Sequence, residues 1–156
     1  MLDVQVKTSN PVVVAYLTMR GPYDQMPDAM SRLYGQVAQR GLQPVGMPAG
    51  VYLDDPQAVD PKDARWELQA PVAGEPAETS ESDGFGIKRV PAHLVASALY
   101  RGPYDQIAPA YGELAGWIEA NGYGIVGPPY ELYVSDPSTT APEDYLTEIR
   151  FPVASR

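Results

Sequence analysis

The hexapeptide RGPYDQ stands at residues 20–25 and again at residues 101–106. Self-similarity at a fixed offset is the strongest organising signal a sequence carries, because it fixes the unit that folds. Working outward at that offset, residues 11–73 align with residues 92–154 without a gap, and more than a third of the aligned positions are identical. Gly41 meets Gly122, Val45-Gly46 meets Val126-Gly127, Tyr52 meets Tyr133, Asp55-Pro56 meets Asp136-Pro137, Glu67 meets Glu148, and Pro71-Val72 meets Pro152-Val153. The chain reads as a tandem duplication within a single domain over residues 1–156. Repeat 1 spans about 1–73 and repeat 2 about 85–156. Residues 74–84, GEPAETSESDG, are acidic and almost free of apolar side chains, so they read as a solvated linker.

Each repeat shows the same order of elements. Residues 2–7 alternate apolar and polar, and Pro11 separates them from a more uniformly apolar run over 12–19, which predicts two short strands. Past Gly21-Pro22 the spacing changes. Met26, Met30, Leu33, Tyr34 and Val37 recur at helical intervals up to Gly41, and Ile107, Tyr111, Leu114 and Ile118 do so up to Gly122. Asp24 and Asp105 sit where an N-cap or a first-turn carboxylate would satisfy the orphan backbone donors of a helix start. Two more strands follow each helix, over 50–54 and 65–71 and over 130–135 and 145–153. The prediction is an α+β fold: a duplicated β-β-α-β-β unit, two antiparallel sheets each covered by a helix, and a pseudo-twofold arrangement with a cleft between the halves.

Composition removes whole classes of function. Among 156 residues there are 20 Asp and Glu against 11 Lys and Arg, a net charge of −9 that opposes binding to nucleic acid or to anionic membranes. There is no cysteine and a single histidine, His93, so no thiol chemistry and no zinc cluster is expected. No cofactor and no metal is implied. No apolar run is long enough for a membrane span and the N-terminus lacks the pattern of a signal peptide, so the expected compartment is the cytoplasm. His93, Ser97 and the Gly84-Phe85-Gly86 segment carry no catalytic or phosphate-binding context.

Strand periodicity places Glu131 with Tyr133 on one face and Tyr130 with Leu132 on the other. Tyr52 and Glu67 occupy the positions of Tyr133 and Glu148, so tyrosines and carboxylates are expected to recur together on the sheet face away from the helices. Eleven tyrosines and two tryptophans are available to line such a site, with Tyr16, Tyr23, Tyr52, Trp66, Tyr104 and Tyr133 near these strands or the RGPY turns. Aromatic faces with a carboxylate suit a lipophilic cation, since the rings attract the charge and the acid balances it. Arg150, two residues from Glu148 on its strand, is a possible internal partner for that carboxylate.

The repeated unit, the RGPYDQ turns, and the closing pattern PPYELYVSDP followed by TEIRFPV resemble the GyrI-like small-molecule-binding domain, which also forms the effector-binding domain of AraC- and MerR-type multidrug regulators. The resemblance covers residues 1–154. It implies two βαββ units side by side with a ligand cleft between them, an acidic ligand contact at Glu148 with Glu67 as its repeat mate, and pocket walls from Tyr133, Trp66 and the turn tyrosines Tyr23 and Tyr104. The sequence contains no helix-turn-helix segment, so the chain is similar to stand-alone members. Such members bind or sequester small molecules, act as acidic gyrase inhibitors, or hydrolyse cyclopropane-containing alkylating natural products with cleft glutamates, here Glu67 and Glu148 beside Trp66. The leading expectation is a non-catalytic binder of amphipathic, cationic compounds through Glu148, Glu67, Glu131 and the aromatic residues. The alternatives are that hydrolase, and an acidic protein that engages a protein partner.

Overall fold

The computed structural model describes residues 2–55 and 58–156. Pro56 of the Asp55-Pro56 break falls outside them. Ten strands and two long helices follow in the order β1 (Val4–Thr8), β2 (Val12–Arg20), α1 (Met26–Gln39), β3 (Ala49–Tyr52), β4 (Arg65–Pro71), β5 (Thr79–Ser80), β6 (Phe85–Val90), β7 (Leu94–Arg101), α2 (Ala108–Ala120), β8 (Tyr123–Ile125), β9 (Tyr130–Tyr133) and β10 (Leu146–Ser155). They divide into two compact units, one of Asn10–Ala92 and one made by the chain up to Ser9 together with His93–Arg156.

The RGPYDQ segments start the helices by a different device from the one expected. Tyr23–Gln25 and Tyr104–Gln106 each form a 3-10 turn, and the helix proper begins after it, with Pro27 and Pro109 in the first turn, where proline's missing N–H costs nothing. Gln25 and Ile107 stand at the N-cap positions of the helices and neither caps through its side chain, so Asp24 and Asp105 are not N-caps but first-turn carboxylates of the 3-10 segments. Helix α1 ends as its sequence predicts. Gly41 takes a left-handed φ of 68°, its N–H bonds to Ala38 O at 3.1 Å, and the Leu42 N–H reaches back to Val37 O at 3.0 Å.

In the Asn10–Ala92 unit the strands pair antiparallel in the order β3-β4-β2-β6-β5. Ala29, Leu33 and Val37 of α1 pack on Ala15, Leu17, Trp66, Leu68, Ala70, Phe85 and Ile87, all buried. The period of two along each strand assigns those residues to one face and leaves Tyr16, Glu67, Gln69 and Lys88 on the other. The second unit has the order β1-β7-β10-β9, with β8 pairing the end of β10. There Ala110, Leu114 and Ile118 of α2 cover Ala96, Ala98, Ile149, Phe151 and Val153.

Two strands depart from the predicted division into halves. Strand β1, expected to stay with the first repeat, pairs with β7 from Val4 against Ala98 to Thr8 against Leu94. Strand β6, expected to open the second repeat, pairs with β2 from Val12 against Val90 to Leu17 against Phe85. The short β5 falls inside the segment read as a solvated linker and borders β6. Edge pairing explains both outcomes: a strand of five or six residues gains backbone hydrogen bonds from whichever partner its connection lets it reach. Ser9 and His93 fasten the first exchange. The Ser9 N–H donates to His93 O at 2.8 Å, the His93 N–H donates to Ser9 Oγ at 3.0 Å, and the imidazole lies within hydrogen-bond distance of Ser9 Oγ at Nδ1 and of Tyr130 Oη at Nε2. His93 is therefore a structural histidine.

One buried group is poorly served. Thr147 is fully buried on the core side of β10, and its hydroxyl has no partner among the described residues. Thr147→Val keeps the shape and removes the stranded hydroxyl, so it is expected to raise stability by about 1 kcal/mol in urea titrations.

Candidate functional site

Register places the polar residues of β9. Glu131 lies opposite Ile149 and Tyr133 opposite Thr147, both core-facing residues, so Glu131 and Tyr133 point to the helix side of their sheet and not away from it as expected. Tyr130 and Leu132 do share a side, opposite Arg150 and Glu148, and it is the other side that meets α2. Glu131 is 7% exposed and accepts a short hydrogen bond from the Tyr111 hydroxyl on α2. Tyr111 in turn meets Phe151 edge-on at 5.8 Å.

Tyr104, from the second RGPYDQ turn, stacks on Tyr145 with ring centroids 4.8 Å apart and meets Tyr133 edge-on at 5.9 Å. Burial raises the Tyr104 phenol above its ordinary pKa, and the neighbouring Tyr145, Glu131 and Asp136 add to the rise. Tyr104 nonetheless keeps 37% of its surface exposed. One unit thus holds a buried carboxylate in a group with four tyrosines, all of them partly exposed and Tyr104 the most. Tyr111 and Tyr145 were not among the residues expected at the site. Tyr111 was read only as helix face and Tyr145 only as the start of a strand.

The two glutamates that recur between the repeats sit elsewhere. Glu148 lies on the face away from α2, where Arg150 Nε donates to it at 2.6 Å, Ser97 Oγ at 2.8 Å, and Lys7 Nζ stands at 3.2 Å. Burial pushes the Glu148 carboxyl up, but the hydrogen bonds from Arg150 and Ser97 outweigh it and hold the group below the ordinary carboxylate range. Glu67, 7% exposed, pairs with Lys88 Nζ at 2.7 Å and accepts from Gln69 at 2.7 Å. Each carboxylate has a cation of its own, and that attraction with the added hydrogen bonds offsets the cost of taking the charges out of water. The depressed Glu148 binds fewer protons folded than unfolded. Its contribution is therefore complete above the unfolded value and lost as pH falls through the lower folded one. Acid titration of stability is expected to show a loss in that range that Glu148→Gln removes.

The remaining expected residues form a third group. Trp66 is fully buried beneath α1, with Nε1 donating to Gly21 O at 3.0 Å, so it belongs to the core. Tyr23 meets Tyr52 edge-on at 5.0 Å and Trp66 edge-on at 5.8 Å. Tyr52 and Glu67 are adjacent in register terms but lie on opposite faces, which ends the expectation that they act together. Tyr16 lies on the Glu67 face, with the Lys88 ammonium 4.6 Å from its ring centroid. Its ring crosses β6 where only a glycine fits, since a Cβ at Gly86 would stand 2.3 Å from Tyr16 Cζ.

The model of one family, the GyrI-like small molecule binding domain, matches residues 2–154. The chain belongs to the GyrI-like family. No curated protein matches it in sequence. Among solved structures, the GyrI-like chain is similar to the C-terminal domain of EcmrR, with a TM-score of 0.85 and 21% identity over 100% of this chain and 99% of that one. Against EcmrR in its complex with DNA the TM-score is 0.86 at 20% identity, covering 99% of this chain but only 58% of that one. A hydrolase from Listeria innocua gives 0.70 at 15% identity over 97% and 91% of the two chains. SAV2435, solved bound to tetraphenylphosphonium, gives 0.59 at 15% identity over 97% and 94%. These likenesses establish a shared GyrI-like fold. Among the described residues, no three His, Cys, Asp or Glu side chains gather as metal ligands, and no helix is long and apolar enough to cross a membrane.

Proposed function

We propose that this GyrI-like protein binds and sequesters amphipathic organic cations at Glu131 and the tyrosines around it. The observation that carries this reading is a carboxylate 7% exposed on the helix side of its sheet, beside a cluster of tyrosine rings. A cation entering among ring faces gains cation–π attraction, and a carboxylate shielded from bulk water beside the rings adds its charge to that attraction. Hydrophobic groups on the same ligand gain from the area of Tyr104, Tyr133 and Tyr145. Glu67 and Glu148, the pair a hydrolase would use, are each ion-paired within this chain on the sheet faces away from the helices. The binding of tetraphenylphosphonium by the structurally similar SAV2435 makes that cation a suitable probe.

Calorimetric titration with tetraphenylphosphonium is expected to give saturable binding and a cation recovered unchanged by mass spectrometry. The neutral triphenylphosphine oxide is expected to bind at least about tenfold more weakly, the loss of one charge-assisted contact. Equal affinity for the two compounds, or no binding of the cation, refutes the proposal.

A further inference from the structure

A cavity of about 240 Å³ lies wholly within the Asn10–Ala92 unit, between α1 and the strands β2 and β6. Its floor is apolar, made by Leu17 and Phe85, which are 2% and 1% exposed. Its rim is polar and carries two opposite charges, Arg32 and Asp83. They do not pair with each other, and among the described residues neither has an ion-pair partner. The one bond Arg32 makes through its side chain is a long contact to the Met19 thioether at 3.9 Å. Asp83 uses Oδ1 to accept from the Phe85 N–H at 3.1 Å and has Oδ2 to spare.

The neighbouring groups are satisfied in a way that leaves this pair open. Arg40 lies over the Phe85 ring at 4.3 Å, pairs with Glu81 at 2.6 Å and donates to Gln36 Oε1 at 3.3 Å. Glu81 is therefore spent on Arg40 and does not reach Arg32. With its carbonyl engaged, Gln36 offers its amide N–H groups to the cavity, and Gln39 lines it alongside. Gly35 stands in the middle of α1 on the cavity wall. A glycine there costs the helix about 0.5–1 kcal/mol relative to alanine. Packing does not require it, because a Cβ at Gly35 would meet nothing within 4 Å.

We propose that this cavity is a second small-molecule site and that it takes zwitterionic α-amino acids with apolar side chains. The guanidinium of Arg32 matches the ligand carboxylate, in the two-pronged geometry such pairs favour. The spare oxygen of Asp83 matches the ammonium, and the side chain occupies the space beside Leu17 and Phe85. The volume is below the roughly 300–1,000 Å³ of sites for drug-sized molecules and suits a ligand of amino-acid size. A plain carboxylate leaves Asp83 unanswered, and a plain amine leaves Arg32 unanswered.

The test is a titration of the 15N-labelled full chain with L-leucine, 4-methylpentanoate and isopentylamine, followed by amide shifts. L-Leucine is expected to give saturable shifts at Arg32, Gln36 and Asp83, with both analogues at least about tenfold weaker. Arg32→Gln and Asp83→Asn are each expected to weaken L-leucine at least about tenfold. Gly35→Leu, which fills the cavity from a helical position that favours leucine, is expected to abolish binding while the melting temperature holds or rises. No saturable shift up to about 10 mM L-leucine overturns the site. So does 4-methylpentanoate binding as tightly as leucine, or an unchanged affinity in Arg32→Gln.

Discussion

Glu131→Gln is expected to weaken tetraphenylphosphonium binding by about ten- to a hundredfold, the equivalent of about 1.4–2.8 kcal/mol. Glutamine keeps the shape of the side chain and a carbonyl oxygen to accept from Tyr111, so the change isolates the negative charge. A formal charge opposite a cation among aromatic rings, shielded from bulk water, is the contact whose loss accounts for an effect of that size. Triphenylphosphine oxide supplies the control, since its weaker binding should barely change. Glu148→Gln supplies another. It is expected to leave cation affinity alone and to cost stability, because it strands Arg150 and Lys7 on the far face of the sheet. If Glu131→Gln binds the cation as the parent does, the acidic contact is elsewhere and the proposed site is wrong.

Trp66→Ala is expected to remove about 3–5 kcal/mol of stability, measured by urea unfolding. The indole is fully buried among Leu33, Leu68 and Phe85, and its N–H satisfies Gly21 O. Alanine leaves both a large cavity and a buried carbonyl without its donor. A domain of this size has a total stability of about 5–15 kcal/mol, so the variant should sit close to unfolding at ordinary temperature. Trp66→Phe, which refills most of the volume and loses only the hydrogen bond, should recover most of the deficit. A pocket-wall role predicts the reverse order of effects, with a large loss of ligand affinity and a small loss of stability.

The repeat made the order of elements legible, and with it the α+β class, because RGPYDQ leads into a helix both times and the flanking strands keep their spacing. Sidedness was not legible. Periodicity says that Glu131 and Tyr133 share a face, but which face meets the helix depends on pairing partners far along the chain, Ile149 and Thr147. Recurrence then misdirected attention. Glu67 and Glu148 recur, and each stabilises the outer face of a sheet by pairing with a lysine or arginine. Glu131 does not recur, since the aligned position in the first repeat is Gly50. Conversely, Trp66 is aligned with Thr147, so one repeat fills with an indole the core position that the other leaves with a stranded hydroxyl. Within the proposed site, Glu131, Tyr111 and Tyr145 are positions at which the repeats differ, whereas Tyr104 and Tyr133 are positions at which they agree.

The pairing of β1 with β7 has a bearing on how the protein is made. Val4 must wait for Ala98, so β1 remains without its sheet until the roughly 90 residues that separate them have followed, at about 5–20 residues per second. The Asn10–Ala92 unit has no such debt, since all of its strands are available once Val90 has emerged. Synthesis should therefore yield one finished unit while residues 4–8 trail as an unclaimed strand ahead of it. During that interval VQVKT is open to capture by other nascent chains. A bulky N-terminal tag placed close to Val4 would burden the unit built from the far end of the sequence, whereas the same tag at the C-terminus meets a chain whose partner strands already exist.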